Sequence, residues 1–315
     1  MTPIRAAFYV FAAGCILAAG LATPARAAET KYRVTADYIN WTPQRGEMDY
    51  TYPDTGSVAN VEPESDSGYR LGFEIMQGPA TYMIGYTDFD SSDEDDRNGS
   101  GHGTLIIDDE CTVCQSFNYS MGSYEAEYSM LNVGVGYQLR PDSDFGLQFL
   151  GGLVFGSIEE EFVALYSDAA SVSGSTDVAT QTNEVDTLGF SIGMMPSYKL
   201  HERVRIVGKF DYSPMMADVD RSFRYQDGST GTSGLTTEFN VEISETQIVH
   251  KVDLAVGVEV TPVKWLTLEA GYESETWLND PSFLKITSES GEETIDRGGA
   301  GLGFSGPFFR AGFVF

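Results

Sequence analysis

At 315 residues, with 47 acidic against 19 basic side chains and a net charge of −28, the chain lacks the basic surface that phosphate backbones require, which excludes nucleic acid as a partner. Its 42% hydrophobic and 12% aromatic content suffices for a large core or a lipid-facing surface. No run of about 18 or more apolar residues follows the N-terminal segment, so no membrane-crossing helix is expected.

The chain opens with Arg5, an apolar stretch from Ala6 to Leu21 and the small-x-small triplet Ala25-Arg26-Ala27. This is the order of a secretory leader cleaved after Ala27, giving a leader over residues 1–27 and a mature part over 28–315. The alternative, an uncleaved anchor, has about 16 apolar residues where a spanning helix needs roughly 20. Lipidation at Cys15 would leave only nine residues between Arg5 and the modified cysteine. In an exported chain, Cys111 and Cys114 read as a small loop disulfide, with free thiols or a metal as the alternative. Asp108-Asp109-Glu110 before them would raise thiol pKa values, which speaks against redox catalysis.

A period of two then runs along the mature part. Tyr32, Val34, Ala36 and Tyr38 alternate with Arg33, Thr35 and Asp37; Tyr69, Leu71, Phe73 and Ile75 alternate with Arg70, Gly72 and Glu74. Tyr82, Ile84 and Tyr86 form a third strand. From Tyr124 to Leu139 the pattern changes phase near Met130 and Leu131, which predicts a β-bulge. Phe145, Leu147, Phe149, Leu153 and Phe155 come next, followed by Leu188, Phe190, Ile192 and Met194. Val204, Ile206, Phe210 and Tyr212 alternate with Arg203, Arg205, Lys209 and Asp211; Val252, Leu254, Val256, Val258 and Val260 alternate with Lys251, Asp253, Gly257 and Glu259. Leu266, Leu268, Ala270 and Tyr272 alternate with Glu269 and Glu273, and Phe309, Ala311, Phe313 and Phe315 close the series around Arg310.

Alternation alone fits a soluble sheet as well as a barrel in lipid. The connections decide between them. Gly78-Pro79, Arg140 to Asp144, His201-Glu202 and Pro262-Val263 are tight turns, whereas the segments near 42–67, 90–122, 158–185, 214–245 and 277–304 are long and rich in Gly, Ser, Thr, Asp and Glu. About ten strands with short turns on one rim and long loops on the other predict an all-β fold: a transmembrane antiparallel up-and-down barrel of the bacterial outer membrane, its turns periplasmic and its loops extracellular. A hairpin hidden in a long loop could raise the strand number to twelve. Tyr32, Trp41, Tyr69, Tyr86, Tyr124, Tyr137, Phe145, Tyr198, Tyr212, Trp265, Tyr272 and Phe315 fall at strand ends and are expected to form two aromatic girdles. A soluble sandwich would gather such residues into one core and would not need loops this long.

The polar half of each strand then lines the lumen: Arg33, Asp37, Arg70, Glu74, Arg203, Arg205, Lys209, Asp211, Lys251, Asp253, Glu259, Glu269, Glu273 and Arg310. One reading is a narrow aqueous pore with acidic and basic walls. The other is a plug of ion pairs, since a barrel of eight to ten strands is barely wider than its side chains. In the acidic segment from Asp88 to Asp96, Asp88, Asp90, Asp93 and Glu94 suit a hard cation such as Ca²⁺ or Mg²⁺, bound weakly if at all, because no EF-hand spacing is present. No other cofactor is indicated. His102, His201 and His250 lie too far apart in this topology to form a triad.

The run from Leu302 to Phe315, with alternate apolar residues and Phe309, Phe313 and Phe315 at its end, resembles the signal by which outer-membrane barrels are read by their assembly machinery. The stretches Ala36 to Tyr52, Val252 to Val260 and Gly271 to Asn279 resemble the Legionella-type major outer membrane protein family of pore-forming barrels. That resemblance implies a porin or surface protein and carries over no catalytic residue. A weaker similarity, in size and in Asp88-Phe-Asp90 and Asp218-Val-Asp220, is to the omptin surface proteases; the omptin histidine is missing, so water activation has no near-neutral base. The expectation is a non-enzymatic barrel that passes ions or small hydrophilic solutes, or a structural surface protein. An omptin-like protease or an adhesive protein acting through acidic loops stands as the alternative. Its partners are outer-membrane lipid, lipopolysaccharide, the assembly machinery and small solutes; the oligomeric state is open.

Overall fold

The computed structural model describes residues 30–45, 48–53, 59–103, 116–139, 143–167, 176–228, 235–279, 283–289, 292–297 and 301–315. The leader, Cys111, Cys114 and the side chain of His102 lie outside the described set. Fourteen strands are formed among the described residues: β1 (Thr30–Arg45), β2 (Asp49–Pro53), β3 (Ala59–Asn60), β4 (Asp66–Gln77), β5 (Ala80–Gly103), β6 (Ser116–Leu139), β7 (Phe145–Ser167), β8 (Thr176–His201), β9 (Val204–Asp227), β10 (Thr236–Val263), β11 (Leu266–Leu278), β12 (Leu284–Glu289), β13 (Glu292–Arg297) and β14 (Leu302–Val314).

Ten of these, β1, β4 to β11 and β14, close one antiparallel barrel, with β1 paired to both β4 and β14 and β5 to both β4 and β6. Two hairpins account for the others. β2 pairs with β5 at Gly101 to Gly103, beside the stretch of β5 that lies beyond the start of β4, and β12 pairs with β13 in a sheet of its own. At the end with the short turns the seam is sealed by two backbone bonds, Tyr32 N–H to Phe315 O at 2.9 Å and Phe315 N–H to Tyr32 O at 3.0 Å. Gly78, at φ 60°, takes the left-handed conformation that the β4–β5 turn requires.

Facing residues can be followed around the wall from Thr30 through Gln77, Ala80, Tyr137, Phe149, Met194, Phe210, Leu254, Ser274 and Ser305 back to β1 at Thr42, a stagger of twelve residues. Ten strands with that stagger tilt by about 40° and enclose a backbone cylinder of roughly 10 Å radius. Side chains from opposite walls therefore meet at the axis.

Each strand keeps its facing but exchanges its chemistry along its length. On β10 the outward residues near the periplasm are Leu254, Val256, Val258 and Val260, all exposed, and farther up they become Thr246, Ser244 and Glu242. The inward residues do the reverse: Glu259, Asp253 and Lys251 give way to Val249, Ile243 and Val241. Hydrocarbon outside demands apolar side chains there, and once the wall rises into water the requirement moves to its inner side.

This exchange corrects the bulge expected at Met130 and Leu131: the register of β6 against β5 and β7 runs through both without interruption. Tyr124, Ala126, Tyr128 and Met130 face inward above the lipid, while Val135, Tyr137 and Leu139 face outward within it. Much of the chain expected in loops at 90–122, 158–185 and 214–245 is likewise strand, because β5 to β10 continue well past the membrane. Trp41 and Tyr124 do not belong to the girdles; both are buried inside the barrel, whereas Tyr32, Tyr69, Tyr86, Tyr137, Phe145, Tyr198, Trp265, Tyr272 and Phe315 are exposed on its outside. Tyr212 is half-buried.

The exchange of faces separates two substitutions on one strand. Val256→Arg, on the lipid-facing surface, is expected to cost about 2–4 kcal/mol of folding free energy in vesicles, and Ser244→Arg, outward on the same strand above the lipid, less than about 0.5 kcal/mol. Denaturant titration of the refolded barrels measures both, and equal costs would contradict the assignment of the faces.

Candidate functional site

The lumen is where the sequence places its charges, and the structure stacks them in layers. Nearest the periplasm, Arg33 donates to Glu74 at 2.7 and 3.0 Å, and Arg205 meets Glu259 at 3.2 Å; Arg205 is still half in solvent. Above them Asp37 is held by two guanidiniums, accepting from Arg310 at 2.7 and 2.9 Å and from Arg70 at 3.2 Å. Arg310 also donates to Glu269, and Arg70 to Glu273, which accepts from the indole of Trp41 at 2.9 Å. Alongside, Lys251 donates to Asp253 and Glu275, both at 3.1 Å, Lys209 reaches Asp253 at 3.4 Å, and Ser213 donates to Asp211 at 3.0 Å. Acids and bases are interleaved pair by pair, unlike the two opposed walls of an ion-selective pore.

An aromatic layer covers these charges. Trp41, Phe89, Tyr128, Trp277 and Phe304, each at most 2% exposed, meet ring to ring across the axis. Tyr128 and Trp277, on strands halfway round the barrel from each other, have ring centroids 6.4 Å apart, and Trp41 lies 5.5 Å from Phe304. Phe308 lies against the facing pair Gly257 and Gly271, where a side chain at Gly271 would strike the ring within 2.7 Å. A second buried polar layer follows: Arg45 on β1 reaches across to Glu160 on β7 at 2.7 Å, and Glu160 also accepts from Tyr124 and Asn183. Arg221 pairs with Glu245. Nearest the outside, Tyr50, Phe162, Tyr166, Phe223 and Tyr225 form a second apolar cluster, joined by Phe283 and Leu284, which precede or open β12. A cavity of about 30 Å³ among Arg70, Lys209, Glu273 and Arg310 has room for one or two water molecules.

Of the expected lumen charges, Arg203 is misplaced. It lies exposed in the β8–β9 turn, its guanidinium donating to Pro262 O at 3.4 Å, because the strand begins one residue later. Sequence reasoning missed Glu275, Arg45, Glu160, Arg221 and Glu245. All five continue the period of two on their strands, but four of them fall in segments read as loops.

The acidic segment is strand as well, so its residues cannot converge on one ion. Asp88, Asp90 and Glu94 point outward, whereas Asp93 points inward and accepts Glu64 N–H at 2.6 Å. Among the described residues, no three of the His, Cys, Asp and Glu side chains come together as a metal requires. The omptin-like aspartates do not meet either. Asp88 and Asp90 on β5 and Asp218 and Asp220 on β9 face outward with three strands between them. His250 is engaged with the Tyr212 hydroxyl at 2.8 Å, and His201 is the last residue of β8, at its periplasmic end.

Outside, the wall above the lipid carries Asp90, Glu127, Glu159, Glu184 and Asp220 directly opposite one another on five successive strands. Burial, followed by the neighbouring Glu127, pushes the Glu159 carboxyl up. At the extracellular end, burial and a hydrogen bond with the Asp227 carboxyl raise Asp177 to about 6, against an ordinary 3.8.

Ten antiparallel strands closed around a filled interior, with an apolar belt outside, define an outer-membrane β-barrel. A family model described as the Legionella pneumophila major outer membrane protein precursor matches residues 24–315, and the chain belongs to that family. No curated protein matches the sequence. Solved structures with a similar fold include the outer membrane protease OmpT of Escherichia coli (12% identity, 94% of this chain and 99% of that one, TM-score 0.44). They also include the translocator domain of the autotransporter NalP of Neisseria meningitidis (11%, 98% and 96%, 0.40) and the toluene transporter TodX of P. putida (9%, 92% and 90%, 0.34).

Two outcomes follow for the charged groups. Lys251→Met leaves Asp253 and Glu275 facing each other without the cation between them and is expected to cost about 3–5 kcal/mol, whereas Arg205→Met stays within about 1 kcal/mol; unfolding titrations in lipid compare them. Because the folded Asp177 binds its proton more tightly than the unfolded chain does, its contribution to stability grows as pH falls from 7 through 6 and is lost as pH rises. Hydrogen-exchange protection factors, taken relative to the intrinsic rate at each pH, should rise at the extracellular ends of β8 and β9 between pH 7 and 5, and Asp177→Asn should remove that rise.

Proposed function

We propose that this protein is a closed structural barrel of the outer membrane that acts through its extracellular wall and rim. The reading rests above all on the aromatic layer of Trp41, Tyr128, Trp277 and Phe304, whose buried rings meet one another across the axis with centroids 5.1 to 6.4 Å apart. The Arg45–Glu160 bond, spanning the same axis farther up, supports it independently. Porin-like passage of ions or small solutes would require both layers to part, which means breaking a buried ion pair and exposing aromatic surface together. On the outer wall, like charges facing across strands repel unless counter-ions neutralise them. The row from Asp90 to Asp220 is therefore the part of this surface that would draw divalent cations from the lipopolysaccharide headgroups.

Planar-bilayer recording tests the closed reading. Barrel refolded in detergent and shown to insert by protease protection should give no steady conductance step, and Tyr128→Ala with Phe304→Ala should introduce one. Reproducible steps from the unaltered protein would overturn the reading in favour of a pore.

A further inference from the structure

The apolar belt is not level. Facing residues lie on lines perpendicular to the strands, and with strands tilted by about 40° and spaced about 4.8 Å apart, such a line climbs roughly 3 Å per strand. It climbs from β4 toward β11, because the line that leaves β1 at Thr30 returns at Thr42, nearer the outside. One such line, Tyr86, Leu131, Phe155, Leu188, Met216 and Ile248, is apolar throughout and faces outward. Its last member thus stands roughly 15 Å farther from the periplasm than its first. Leu188, Met216 and Ile248 are all exposed, Ile248 to 63%.

The opposite flank has no such extension. There the wall turns polar at Ser67, Asn40 and Ser274, immediately above Tyr69, Tyr38 and Tyr272. By the same construction those tyrosines lie within roughly 3 Å of the height of Tyr86.

We propose that the flank formed by β8 to β10 is a one-sided lipid wall: acyl chains of the outer leaflet rise over Leu188, Met216 and Ile248, so that the barrel leans with this flank sunk deeper. The occupant is lipid because the patch continues the lipid-facing belt upward, through Phe190 and Ile192 on β8 and Leu254 and Val252 on β10, where the intervening His250 is stacked on Tyr212 and hydrogen-bonded to its hydroxyl. A second copy of the chain fits poorly. Asp186 and Asp218 project outward directly above Leu188 and Met216, and a facing copy would bring like charges together. The wall ends at those two carboxylates, where a headgroup layer would begin.

Nitroxide labels at Met216→Cys and Ile248→Cys, in full-length protein carrying Cys111→Ser and Cys114→Ser, test this in vesicles of phosphatidylethanolamine and lipopolysaccharide. Leu254→Cys serves as the buried-belt reference and Ser67→Cys as the polar-flank reference, with strand content of every variant checked by circular dichroism. Relaxation by dissolved oxygen should dominate over relaxation by a water-soluble nickel chelate at Met216 and Ile248, as at Leu254. Nickel-dominated relaxation, as at Ser67, would place the flank in water and overturn the proposal. Protection from both agents would show a protein partner there and overturn it equally. Neither result touches the closed lumen, which the conductance experiment reads separately.

Discussion

Hydrocarbon offers a backbone amide nothing to bond with, so every N–H and C=O of a lipid-crossing strand must find another strand. In this chain that constraint is met by bringing β1 against β14 and sealing the last register between Tyr32 and Phe315. Closure on ten strands then fixes the width of the wall, and the width fixes the interior. With backbone only some 10 Å from the axis, side chains of ordinary size reach the middle, and any charge pointing inward is within reach of another. The interleaving of Asp37 between Arg70 and Arg310, and of Lys251 between Asp253 and Glu275, follows from a space too narrow for water to solvate each group alone.

The same wall passes through two surroundings. While lipid lies outside, apolar residues belong outside and the polar ones must turn in; once the strands leave the lipid, the rule inverts. β5 to β10 carry this inversion well beyond the membrane, and what they enclose there is a core of the ordinary soluble kind, built on Tyr124, Phe162, Tyr166 and Phe223. The extracellular part is thus a folded body in its own right, roofed by residues of the β2–β3 ribbon and by Phe283 and Leu284.

The ten crossings, their order and the residues that face lipid were readable because a period of two repeats under a constant demand. The lower lumen charges followed from the same repeat, with Arg203 lost only because a strand began at Val204. What escaped was the upper half. Polar outward residues such as Asp218, Asp220 and Ser222 look like loop when lipid is assumed outside, and the exchange at Met130 and Leu131 imitates a bulge. Arg45 and Glu160 were hidden for that reason, and no local pattern announces that residues 115 apart in sequence will meet across an axis. Trp41 and Tyr124 were misread as girdle residues because an aromatic ring at a strand end suits a membrane interface and a buried core equally well.

The rings that join distant strands across the barrel, Tyr128 to Trp277 and Tyr128 to Phe304, have a mechanical side as well. A hollow cylinder under the lateral pressure of a bilayer keeps its round cross-section only through the stiffness of its rim. One braced by spokes resists being flattened into an oval, so shape fluctuations at the level of the lipid surface should be damped here, and neighbouring lipids would meet a rigid post.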